Sequence, residues 1–322
     1  MRKCIFCNEI KDDSLFNDEH IVLKSLGGNV TLNCVCTECN SNFGASVDTL
    51  ASETLIGVRF LLNLAGRSGV PNPYYRQYTT YPLEFLDDIG NITNVLVRME
   101  LDDKGVFQKC TAIPRVYDYK DGKLIVSDKK NSDGFTRKMI KEHKLLSASV
   151  VHLNNYRKYT PKVLFYPHTE KELDYFSLCC YPIALKMSYE YLCEISKMKY
   201  LDDVLALSIR PFLKGFDKRK ELTIPTDAEC NCYYDKMDEK IWEEWMNLPD
   251  HNITINVKTD AKKIIATVDM FHFFNYKIVM SEDASRYPVF DETVCNEITS
   301  KIDSFKKISQ NFKIDIVPIY VR

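Results

Sequence analysis

Two Cys-x-x-Cys pairs, Cys4-Ile5-Phe6-Cys7 and Cys36-Thr37-Glu38-Cys39, constrain this 322-residue chain more than any other feature. Each pair offers two thiolates to one ion, and the stretch between them is short enough to fold back as a single hairpin. A tetrahedral ion held by all four would therefore staple whatever lies between. The spacing is that of structural zinc sites, and zinc bound by Cys4, Cys7, Cys36 and Cys39 is expected. Cys34 complicates the ligand set, because on an extended chain it shares a face with Cys36 and could compete; the knuckle spacing favours Cys36. Twelve cysteines would suggest disulfides in a small exported domain. Here, however, the start of the chain turns polar by Asn8, and no apolar run approaches the roughly 18 residues of a membrane span. Reduced thiols, a cytoplasmic setting and no membrane association are expected.

The residues between the pairs carry the chemistry. Asp18-Glu19-His20 stands at the mouth of the β-branched run Ile21-Val22-Leu23, Leu26-Gly27-Gly28 marks a turn, and Asn29 to Val35 reads as a returning strand. After the second pair, Val47, Leu50, Ala51 and Leu55 recur at helical spacing, so Asn40 falls where the chain enters a helix. A hairpin and a helix joined by one ion make a ββα-metal unit. In these residues the sequence resembles the zinc-stapled branch of the HNH endonuclease family, whose pattern runs C-x-x-C, E-H-I, L-G-G, C-x-x-C-N-x-x-F-G. The likeness covers about residues 1 to 55. It implies that His20 is the general base and that Glu19 and Asn40 hold a divalent metal. The middle member of the family triad is usually Asn; one family spacing lands on Thr31 and the other on Asn33, and Asn33 is preferred.

These roles fit the residue types. Hydrolysing a phosphodiester needs an activated water and a cation on the phosphate oxygens. Neutral imidazole can take a proton near pH 7. Carboxylate and amide oxygens suit Mg²⁺ or Mn²⁺, whereas four thiolates suit zinc, so one ion holds the fold and the other serves the reaction. Simpler roles compete with these. His20 can be a hairpin imidazole bonded to backbone, Asp18 can supply the carboxylate instead of Glu19, Asn40 can be a helix cap, and Asn33 a plain strand amide.

Charge is uneven along the chain. Residues 1 to 80 hold seven Lys and Arg against eight Asp and Glu, whereas 104 to 162 hold fourteen against five. That segment is expected to supply phosphate contacts, Lys129, Lys130 and Arg137 among them, with Tyr117, Tyr119, Tyr156 and Tyr159 placed to stack on bases. It can also be an ordinary basic surface. Its apolar alternation predicts hairpins across Asp102-Asp103-Lys104-Gly105 and Lys120-Asp121-Gly122-Lys123. From residue 160 a helical pattern runs through 172 to 198 around Pro182. Ile253 to Val257, Ile264 to Met270 and Tyr276 to Met280 alternate as strands, Asp291 to Ile308 reads as a helix, and Phe312 to Val321 as a last strand. Cys179 and Cys180 are expected in a core, and none of His143, His152, His168, His251 and His272 has an acidic partner at a recognisable spacing.

The expected architecture is α+β: a zinc-stapled ββα-metal unit over 1–68, a basic antiparallel β extension over 69–159, and a C-terminal α+β domain over 160–322. Two functions follow. One is a metal-dependent endonuclease, acting on DNA, in which the C-terminal domain chooses substrate, partner protein or activating ligand; the likeness adds an antiphage or restriction setting. The other is a zinc-scaffolded binding module without chemistry. Glu19, His20 and Asn40 together favour the enzyme.

Overall fold

The stretch between the cysteine pairs folds as its pattern predicts. In the computed structural model, which describes residues 1–55, 170–217, 224–233, 239–298, Asp315–Pro318, and strands and short stretches between 58 and 166, a ribbon of Arg2–Lys3 (β1) and Ile10–Lys11 (β2) brackets the first cysteine pair. Phe16–His20 (β3) and Thr31–Cys36 (β4) then pair antiparallel, Phe16 opposite Cys36 and His20 opposite Thr31, with a break in register between Asn17 and Glu19. The turn before β4 requires both of its glycines. Gly27 has a φ of +84°, and a Cβ on Gly28 would stand 1.6 Å from the Val22 carbonyl oxygen. Gly28→Ala is therefore expected to cost about 2–3 kcal/mol, because backbone must move to admit the methyl group. Urea unfolding of the variant checks this, and an unchanged midpoint would mean that the turn is not rigid.

Two helices follow, Thr37–Ala45 (α1) and Val47–Thr54 (α2). Cys36 occupies the capping position of α1 with no side-chain cap bond, so Asn40 lies within the first turn and is not its N-cap. Cys39 and Phe43, one turn apart, face inward. Buried Arg59 donates to the carbonyls of Ser25 (2.7 Å) and Ser52 (3.1 Å), tying the loop after β3 to α2.

The middle of the chain is strand-rich, as its alternation predicts. Tyr81–Leu86 (β5), Ile92–Leu101 (β6) and Phe107–Ala112 (β7) form an antiparallel sheet. In a second sheet Arg115–Tyr119 (β8) pairs antiparallel with Gly122–Ser127 (β9), and Ser149–His152 (β10) adds to β9 in parallel. Lys162–Tyr166 (β11) pairs in parallel with Asp315–Pro318. The register sets Lys109 opposite Glu100 and Lys123 opposite Asp118.

A third region is organised by one helix. Glu170–Ile195 (α3) is buried on nearly every side between Cys179 and Cys193, Cys180 included, which is the behaviour of a core helix, and packing retains Pro182 inside it. Val204–Lys214 (α4), capped by Asp203 on the Leu205 N–H, packs against it. Ala228–Cys232 (β12) precedes Glu239–Met246 (α5), and Ile253–Asp260 (β13), Lys263–Met270 (β14), Phe274–Ser281 (β15) and Asp291–Asn296 (β16) complete a five-stranded antiparallel sheet. Its order is β12-β15-β14-β13-β16. Ile253, Ile255, Val257, Ile264, Ala266, Val268, Met270, Tyr276 and Ile278 alternate inward along the strands that pack on α3.

One expectation changes. Asp291–Asn296 is a strand, not the start of a helix. Thr293 and Val294 are β-branched, β13 offers an open edge, and charged Asp291 and Glu292 suit an edge strand; residues 299–308 lie outside the described residues. The chain divides into two compact units, 1–67 with 167–300 and 320–322, and 68–166 with 301–319. The hairpin and α3 share one core, in which the Tyr189 hydroxyl donates to the Ile5 carbonyl (2.6 Å) and Phe6 stacks between Phe43 (4.4 Å) and Tyr189 (5.1 Å). Asn296 accepts from the Asn29 N–H (2.8 Å) and donates to the Gly27 carbonyl (3.1 Å), fastening β16 to the glycine turn.

His272 also has acidic partners after all. Its Nε2 lies 2.6 Å from Asp250 and its Nδ1 3.0 Å from Asp269, at a turn where Phe271 and His272 both have positive φ. Burial opposes a charge on this imidazole, but the hydrogen bonds to Asp250 and Asp269 outweigh it and raise the pKa. A raised folded pKa means stabilisation that is complete below the unfolded value of about 6.5 and is lost as pH rises through the higher folded value. The difference in melting temperature between the wild type and His272→Gln is therefore expected to shrink from pH 6 to pH 8.5. A constant difference would show that the clamp carries no charge.

Candidate functional site

The backbone of the first knuckle turns tightly, with Asn8 in the left-handed region donating to the Cys4 carbonyl (2.9 Å), and this brings Cys4 and Cys7 to one side. The hairpin returns Cys36 beside them, and the first turn of α1 presents Cys39. The four Sγ atoms lie within 4.8 Å of one another, the one such cluster of His, Cys, Asp or Glu ligand atoms among the described residues. Cys7 and Cys36 are 3.9 Å apart. Sulfurs about 2.3 Å from a tetrahedral zinc stand about 3.8 Å apart, so the cluster fits a zinc-type ion. Without a cation the thiols cannot all ionise. A hydrogen bond from Cys39 draws Cys4 down to about 4, burial pushes Cys7 up to about 11, and that same bond to Cys4 raises Cys39. Four thiolates on a doubly charged ion leave net negative charge, which the Cys36 N–H (3.4 Å from Cys4 Sγ) and Lys11 Nζ (3.5 Å from Cys36 Sγ) offset. Cys34 stays out of the cluster: it is buried, and burial raises its pKa.

The end of β3 carries His20, half-buried, with a buried Nδ1 that has no hydrogen-bond partner in the protein. Thr31 stands opposite it in the ladder. Asn33 is two residues further along the same exposed face, and both ends of its amide are engaged: Nδ2 donates to Asp18 Oδ1 (3.1 Å) and Oδ1 accepts from Arg2. Asp18 is exposed, whereas Glu19 is 3% exposed. Glu19 Oε1 accepts from Lys186 Nζ at 2.5 Å, and Lys186 also pairs with Glu190 (3.2 Å) and Asp48 (3.7 Å). Burial opposes the charge on Lys186, but the carboxylates of Asp48, Glu190 and Glu19 hold its pKa high, while burial lifts Glu190 well above the usual carboxylate range. On α1, Asn40 Nδ2 donates to Asn17 Oδ1 (3.2 Å).

Residues 4–56 match the HNH endonuclease family. No curated protein and no solved structure matches the chain. The match spans the zinc-type knuckles, the hairpin and both following helices, and it supports a nuclease class in general for this part of the chain.

Around the HNH hairpin the structure groups the expected residues in two sets. His20 and Asn33 share the open face with Asp18 and Thr31, and Asn40 reaches the same strand through Asn17. Glu19 is turned the other way, into an ion cluster with the second half of the chain. Arg2, Asn17, Asp48 and Lys186 are participants that pattern reading missed. One signal was present for Lys186: Lys186 and Glu190 are a charged pair one turn apart in an otherwise apolar helix. In the basic segment Arg137 is exposed in a helical stretch, and Lys129 and Lys130 lie outside the described residues. Among the described residues no helix is long and apolar enough to cross a membrane.

Proposed function

We propose that the chain is a divalent-metal-dependent endonuclease that hydrolyses phosphodiester bonds in DNA, with His20 as general base. The observation that carries this reading is an imidazole nitrogen without a protein partner, at the strand end of a zinc-stapled hairpin matched to a nuclease family. His20 takes the proton from the attacking water, a new P–O bond forms, and the P–O bond to the leaving sugar oxygen breaks. Asn33, clamped between Arg2 and Asp18, stiffens the strand facing His20. Asn40 and a carboxylate are hard donors suited to Mg²⁺ or Mn²⁺, which when bound supplies charge neutralisation on the phosphate and leaving oxygen. The resemblance gives the carboxylate role to Glu19; since Glu19 is committed to Lys186, we assign it to exposed Asp18. Phosphate contacts fall to the basic segment, with Lys129, Lys130 and Arg137 as its candidates. The C-terminal half sets substrate, partner or activation state, as suits a cytoplasmic restriction or antiphage effector.

The burial of Glu19 favours a second reading, a zinc-scaffolded nucleic-acid- or protein-binding module in which the chemistry is lost. Supercoiled plasmid and single-stranded RNA, incubated with the protein in Mg²⁺, Mn²⁺ or EDTA, separate the two. The enzyme reading expects nicked or linear plasmid in metal and none in EDTA; intact nucleic acid in every condition would leave the binding module.

A further inference from the structure

Lys186 lies outside the HNH match, in the middle of a core helix, and is fully buried. A lone ammonium there would be strongly destabilising. Instead it collects one acidic side chain from each of three elements: Glu19 from β3, Asp48 from α2 and Glu190 from α3 itself. Its Nζ also stands 5.4 Å from the centroid of the Phe43 ring on α1, a cation–π distance. One side chain of the second half of the chain thus touches three of the four main elements of the HNH unit.

The place where it acts matters. The β3–β4 ladder is interrupted between Asn17 and Glu19, so Glu19 and His20 belong to a separate short stretch of pairing, opposite Leu32 and Thr31, that runs on to the Ile21 N–H on the Val30 carbonyl (3.0 Å). Glu19 is the adjoining residue, and fixing its carboxylate fixes the Cα about 3.8 Å from that of His20. We propose that Lys186 is the positioning residue of the HNH hairpin: its ammonium, not a divalent ion, is the permanent counter-ion of Glu19, and the pair sets the strand end from which His20 projects. The part concerning His20 rests on the nuclease reading; the ion pairing does not. It follows that the HNH unit cannot be cut from the chain at residue 68 and keep its site, because its internal cation comes from α3.

The test uses the full-length, zinc-loaded protein and the variants Glu19→Gln, Lys186→Met and their double. Removing one partner strands a buried charge, so Lys186→Met is expected to lower the melting temperature by about 6–15 °C and Glu19→Gln by less, and the double variant is expected to melt above Lys186→Met alone. If Lys186→Met does not fold, recovery of a folded double variant reports the same coupling. Mn²⁺ affinity, followed by the electron paramagnetic resonance of the free ion, is expected to stay within about twofold in Glu19→Gln and to fall about tenfold in Asp18→Asn. In the double variant, kcat on plasmid is expected to fall about 10²-fold with KM unchanged, an effect that recovered stability would not produce. Additive losses in the double variant, or loss of Mn²⁺ binding in Glu19→Gln without a change in melting, would overturn the proposal and return Glu19 to the cation. A wild type that cleaves nothing removes the nuclease reading alone, because the melting cycle still decides whether Lys186 is the counter-ion of Glu19.

Discussion

Replacing His20 by Ala is expected to lower plasmid cleavage by about 10²–10⁴-fold, the usual contribution of a positioned base, while zinc content and nucleic-acid binding persist. The separation is expected because the imidazole does none of the stapling. Its Nδ1 bonds to nothing in the protein, and the hairpin is held by the ladder, the glycine turn and the four cysteines. Asn40→Ala gives a second, distinguishable loss. Asn40 is not the cap of α1, so the variant is expected to melt within about 1 °C of the wild type. If the residue holds the catalytic ion, its defect shrinks as Mg²⁺ or Mn²⁺ is raised, since weakened binding is offset by mass action. Activity surviving both substitutions, or continuing in EDTA, would end the one-metal mechanism.

Most of the HNH unit was legible because its determinants are local. Cysteine spacing named the ligands, the glycine pair named the turn, and alternation placed His20 on the first arm; Gly28 shows why the turn tolerates nothing else. Strands β13, β14 and β15 were legible for the same reason, each burying every second residue. Asp291–Asn296 was not, since the open edge of β13 decides its state and no property of the segment alone announces that edge. The separation of Glu19 from His20 was equally hidden. A Glu-His dipeptide reads as one site, but neighbouring residues on a strand point to opposite faces, and what waits for Glu19 on the buried face lies 167 positions further along. Sequence separation also hid the seating of the hairpin on α3: Tyr189 and Asn296 look like ordinary core and strand residues until the fold sets them against Ile5 and Gly27.

Because the hairpin is seated in a shared core, the zinc-type ion is expected to stabilise far more than the 50 or so residues it staples. Purified protein should contain about one zinc per chain, and a chelator strong enough to remove it, or Cys4→Ser, should unfold the HNH unit, since binding energies of about 10–16 kcal/mol for structural zinc exceed the stability of most domains. Without the ion, Cys4 and Cys7 lose their link to Cys36 and Cys39, and the Ile5 carbonyl and Phe6 ring move away from Tyr189 in the middle of α3. Asn296 likewise loses the turn it fastens. Unfolding should therefore spread through the unit that joins 1–67 with 167–300, and the near-ultraviolet signal of Trp245, which donates to the Phe271 carbonyl beyond the zinc, should fall together with the metal. Cys34→Ser is the internal control: that thiol is outside the cluster, so zinc content should stay at one per chain. Zinc-free protein with unchanged melting would remove the staple. Loss of the HNH unit with Trp245 undisturbed would instead mean that the hairpin folds independently of α3, against the shared core from which this prediction starts.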